Sequence, residues 1–139
     1  MMLRFRMCKI NTEQFAILKE HAPENDIPVS IQTHLQYKKA LDAKRLACDL
    51  RFVFEASKKP FLVIEVCCEF DIYEEDWEAM KNGEDFVISK ETQEILGVHT
   101  VGTARGILHC KTEGTEFNQF IIPPINLTNL IKGDIKFKS

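Results

Sequence analysis

The feature that most constrains this chain is a pair of alternating apolar runs separated by a short basic turn. Leu46, Cys48, Leu50, Phe52, Phe54 and Ala56 recur at every second position. Ala47, Asp49, Arg51 and Glu55 fill most of the places between them, with Val53 the exception. After Ser57-Lys58-Lys59-Pro60 the alternation resumes, with Leu62, Ile64, Val66, Cys68, Phe70 and Ile72 on one face and Glu65, Glu69 and Asp71 on the other. A period of two belongs to a β-strand, whose successive side chains point to opposite sides. Two such runs joined by a short turn predict an antiparallel hairpin with one dry face and one face that is solvated or covered by a partner.

Two further strands are predicted. Leu3, Phe5 and Met7 alternate with Arg4 and Arg6, and Val29, Ile31, Thr33, Leu35 and Tyr37 alternate with Ser30, Gln32, His34 and Gln36. Between them His21 to Pro28 is dense in turn formers. After Ile72 the period changes. Glu74 to Met80 predicts a short acidic helix carrying Trp77, the single tryptophan, and Asn82-Gly83 breaks it. Ser89 is placed to cap a long helix from residue 90 to about 113, a stretch without proline. Gly97, Val101, Ala104 and Leu108 share one helical stripe, and Ile95, Val98, Gly102 and Gly106 share another. Each glycine costs a helix about 1 kcal/mol against alanine, so a packing gain such as a closely approaching second backbone is expected in return. The length supports one domain over residues 1–139, holding four strands, a short helix and a long helix.

Composition excludes several functions. The chain has 18 basic and 21 acidic residues, a net charge of −3, which gives no global electrostatic case for nucleic acid. No apolar run is long enough for a signal peptide or a membrane span, which predicts a cytoplasmic protein without membrane insertion. Five cysteines, Cys8, Cys48, Cys67, Cys68 and Cys110, form no CxxC pair and read as reduced thiols. The phosphate-binding, zinc-protease and nucleophile-elbow motifs are missing. A metal site at His99–Cys110 or His109–Cys110 is weaker than the reading of these residues as helix surface or core. Glu69 and Asp71 have the spacing of an acid/base pair, but acids two apart are ordinary on a solvated strand face. No enzyme, cofactor or metal is therefore expected.

Apolar residues crowd a segment that must be irregular: Phe120-Ile121-Ile122-Pro123-Pro124-Ile125-Asn126-Leu127. Two adjacent prolines rule out regular helix and central strand. The segment is either a loop folded over the core or one wall of an apolar groove. Trp77 has the same two readings. Asn126, the segment's single side-chain amide, is expected to hold the loop.

These features together resemble the SecB export chaperone family, including its solitary members in toxin–antitoxin–chaperone systems. The strand Pro60-Phe61-Leu62-Val63-Ile64-Glu65-Val66 is similar to a family strand in which a glutamate precedes an apolar residue. Gly97 to Gly106, with its Ala104-Arg105 pair, resembles the family's long helix, and Phe120, Pro123, Ile125, Asn126 and Leu127 resemble its proline-containing crossover. The resemblance covers roughly residues 3 to 131 and implies the family's α+β fold, a four-stranded antiparallel sheet with a long helix packed on one face. It implies an ATP-independent chaperone, assembled as a dimer or a dimer of dimers, that holds unfolded polypeptides in an apolar groove. Client-binding residues would be Trp77, Phe120, Ile121, Ile122, Ile125 and Leu127. Docking of the SecA motor would use the acidic positions Glu65, Glu69, Asp71 and Glu13, and an antitoxin is the other partner implied, as a client. Val98, Gly102 and Gly106 would meet a second copy. The tail differs: where the family carries a second helix, Lys132, Lys136 and Lys138 make a short basic stretch. The competing readings are a ligand-binding or enzymatic α+β domain and a structural subunit whose apolar loop is buried in a permanent complex. An open continuous groove favours a chaperone, and a closed pocket with convergent polar groups favours an enzyme.

Overall fold

The alternating runs fold into strands as their period requires. In the computed structural model, which describes residues 2–138, β1 (Phe5–Ile17), β2 (Val29–Lys39), β3 (Arg45–Ala56) and β4 (Lys59–Ile72) form an antiparallel sheet in the order β1-β4-β3-β2. The central hairpin sets Cys48 opposite Cys68 and Phe52 opposite Ile64. Ser57 and Lys58 close it with φ of 52° and 65°. These left-handed conformations give a two-residue turn whose twist matches that of the strands.

β1 continues ten positions beyond the predicted end at Met7, to Ile17. Its register shifts between Met7 and Lys9 and again between Thr12 and Gln14. Each extra residue inverts the in/out alternation. The residues facing the core side are therefore Phe5 and Met7, then Ile10 and Thr12, then Phe15 and Ile17, opposite the inward residues of β4.

The short helix α1 (Glu74–Ala79) follows β4. The hairpin of β5 (Lys81–Asn82) and β6 (Asp85–Ile88) then leads to the long helix α2 (Lys90–Thr112). The Ser89 hydroxyl accepts from the Thr92 N–H at 3.1 Å, the expected cap. Leu96, Ala104 and Leu108 of α2 are fully buried against β3 and β4, as are Leu46, Leu50, Phe52, Leu62, Ile64 and Phe70 on the facing strands. Each large side chain removed from water contributes roughly 1.5–3 kcal/mol. The basic tail is not an irregular end: β7 (Ile135–Lys138) pairs with β6, making a second sheet in the order β5-β6-β7. Ile135 and Phe137 pack on the core while Lys136 and Lys138 are exposed. A single turn, α3 (Leu127–Leu130), lies between the proline segment and this strand.

Candidate functional site

Residues 120–126 form neither helix nor strand. Pro123 and Pro124 have no N–H to donate, so the carbonyls around them need partners from outside the segment. Arg105 of α2 supplies them. Its Nε donates to the Ile122 carbonyl at 2.6 Å and its Nη2 to the Pro123 carbonyl at 2.9 Å. Further on, Asn126 Oδ1 accepts from the Thr128 N–H at 3.1 Å and caps α3, so this amide holds the loop as expected.

The segment so clipped bounds an open cavity of about 630 Å³ against α2. Val98, Val101 and Arg105 line it from the helix, and Ile121, Ile122, Pro123, Pro124, Ile125 and Leu127 from the crossover. Val98 is 61% exposed and Ile121 58%, large apolar side chains left in water beside an apolar hollow. The lining holds no carboxylate, imidazole, thiol or hydroxyl. Its chemistry is apolar contact, with one guanidinium at the wall.

Four of the six predicted wall residues, Ile121, Ile122, Ile125 and Leu127, come together here. Ile122 and Leu127 are only 1% and 5% exposed, so they form the base of the cavity and belong to the core as well. Phe120 turns to a neighbouring aromatic cluster, its ring 4.9 Å from Phe61 and 6.3 Å from Phe117. Trp77 is corrected to a core residue: it is 5% exposed and packs on Phe86 at 4.5 Å, away from this cavity. Burial of so large a ring gains more than its exposure on a six-residue helix would allow. The sequence reading also missed Arg105 as part of the wall. The signal was present, a lone arginine among small and apolar residues on the inward half of a helix.

The acidic sheet face needs a second correction. Glu69 and Asp71 were expected on a solvated or partner-covered face as docking positions, yet Asp71 accepts from Arg6 at 2.8 Å and from Arg45 at 3.0 Å. Glu69 lies 4.0 Å from Lys9 and 3.9 Å from Arg45. Hydrogen bonds from Arg6 and Arg45 hold the Asp71 carboxyl below its ordinary value. The physical reason is cross-strand pairing, with Arg6 and Arg45 both directly opposite Asp71. Glu65 has a different setting. Partial burial and then the neighbouring Asp49 carboxylate push its carboxyl up, with Arg51 opposing. Asp49 Oδ1 is buried without a hydrogen-bond partner, and a protonated Glu65 would supply the missing donor. Glu13 is exposed at the second bulge of β1.

On α2, Gly102 and Gly106 are exposed, with nothing within 4 Å of where a Cβ would stand. Gly97 differs: a Cβ there would meet Leu127 and the Tyr37 hydroxyl at 3.0 Å, so its close approach is to side chains of its own chain. His99 meets the Phe5 ring edge-on at 5.3 Å, and His109 lies beside Asn118. Among the described residues no cluster of three or more His, Cys, Asp or Glu is placed to hold a metal ion. All five cysteines are free. Among the described residues no helix is long and apolar enough to cross a membrane, which says nothing of strands.

The four-stranded antiparallel sheet with a long helix on one face defines a SecB-like fold. The sequence matches no family model. It matches no curated protein either. The fold is similar to that of a SecB-like chaperone of Mycobacterium tuberculosis, solved in complex with a ChAD peptide from the HigA1 antitoxin. The two superpose with a TM-score of 0.58 at 10% identity, over 88% of this chain and 91% of that one.

Proposed function

We propose that this protein is a SecB-like chaperone that binds non-native polypeptide in the cavity beside the proline crossover. The observation that carries the reading is the pairing of exposed Ile121 and Val98 with an apolar hollow whose wall is clipped in place by Arg105. A fold shared with a chaperone solved with a bound antitoxin peptide supports it. Burial of client side chains would contribute roughly 25 cal/mol per Å², less the cost of ordering the client. Holding an unfolded chain lowers its free concentration by mass action, which needs no ATP. The client is an antitoxin or an exported protein, and the setting is the cytoplasm. A second copy meets this one at Gly102 and Gly106, while Val98, expected at that interface, lines the cavity. A basic partner, SecA in an export setting, docks at Glu65 and Glu13, which among the described residues make no ion pair, instead of at Glu69 and Asp71.

The test is suppression of aggregation of a chemically denatured protein, with and without ATP. Wild type suppresses it equally in both cases. Ile121→Asp keeps its circular dichroism spectrum, because residue 121 is exposed, and loses most of the suppression. If Ile121→Asp suppresses as well as wild type does, the client site lies elsewhere.

A further inference from the structure

We infer that Arg105 makes the cavity selective for apolar segments that carry a carboxylate. This inference rests on the polypeptide-binding reading and names the class of client. Of the five arginines, Arg4, Arg6 and Arg45 are ion-paired, to Asp76, Asp71 and Glu69 among others. Arg105 has no such partner: among the described residues no carboxylate lies within ion-pair distance of it. Its two hydrogen bonds go to the carbonyls of Ile122 and Pro123. Those bonds orient the fork but leave its positive charge in place.

Arg105 as a residue is half-buried, its Nε bond partly buried and its Nη2 bond at the exposed rim, in a wall that is otherwise apolar. Water is partly displaced there, and would be displaced further by a bound segment. A charge in such surroundings interacts more strongly than one in bulk solvent. Nε and Nη2 are committed to the crossover, while Nη1 remains to donate toward a ligand. A carboxylate placed there neutralises a cation that client binding would otherwise desolvate without compensation. An amide gains part of this, and an ammonium opposes it. Arg105 lies fifteen or more positions from the crossover in the chain, and only the fold unites them.

The probes are labelled, C-terminally amidated peptides of alternating leucine and serine, identical except for one central glutamate, glutamine or lysine. Binding is read by fluorescence anisotropy at low salt. The glutamate peptide binds wild type about tenfold more tightly than the glutamine peptide, the lysine peptide binds most weakly, and added salt narrows the gap. The glutamine peptide with a free terminal carboxylate reports whether a chain end serves in place of the side chain. Arg105→Gln, which removes the charge, binds the glutamate and glutamine peptides alike, and Arg105→Lys restores part of the preference. Equal binding of the glutamate and glutamine peptides to wild type overturns this inference and leaves the polypeptide-binding reading standing. Retention of the full preference by Arg105→Gln overturns it as well. Failure of every peptide to bind overturns both. Should Arg105→Gln fail to fold, the comparison on wild type still decides.

Discussion

Ile121 and Ile122 are adjacent, yet one is 58% exposed and the other 1%. A charge introduced at position 122 would be buried without a partner and would unfold the chain, so position 121 is where client binding and folding separate. The same contrast governs the acids. Asp71 was read as a free partner-binding charge but is held by Arg6 and then Arg45 below its ordinary value of 3.8. A carboxyl depressed in the folded state contributes stability above its unfolded value, and that contribution is lost as pH falls through the folded value. Asp71→Asn is therefore expected to lower Tm at neutral pH, with the difference from wild type fading once pH falls well below 3.8. Thermal melts across a pH series measure this, and a difference that persists undiminished in acid would assign the effect to packing.

At the scale of elements, the two kinds of glycine in α2 make opposite demands. Gly97 faces Leu127 and Tyr37 at 3.0 Å from a would-be Cβ, whereas Gly102 faces open space. Gly97→Ala should destabilise the fold despite the roughly 1 kcal/mol gained in helix propensity, because Leu127 is buried and the Tyr37 hydroxyl is held on the Gln93 carbonyl, so neither can give way freely. Gly102→Leu should leave the fold intact and reduce the assembled mass seen by sedimentation. A wild type that sediments only as monomer would remove the proposed interface. Most elements were legible because their periods are long and clean: β2, β3, β4 and the capped α2 follow directly from alternation and from Ser89. The second half of β1 was not, because two bulges shift its phase. β5, β6 and β7 are two to four residues long, too short for a period to be read. The crossover was legible as irregular and apolar, but which of its isoleucines faces solvent depends on where Arg105 pins the backbone.

Across the whole molecule the sheet divides the work. One face is dry and carries α2, the crossover and the cavity, while the other is laced with cross-strand ion pairs that, among the described residues, do not reach Glu13, Glu55 or Glu65. The central claim is that non-native polypeptide binds on the dry side, at the edge where the crossover meets α2. Backbone hydrogen exchange with and without a saturating denatured client tests it most directly, since it needs no altered residue. The account predicts slowed exchange at the crossover amides of Phe120, Ile121, Ile122 and Ile125, with the amides of β7 unchanged. Slowing confined to β1 and β2, with the crossover exchanging as fast as in the free protein, would contradict it.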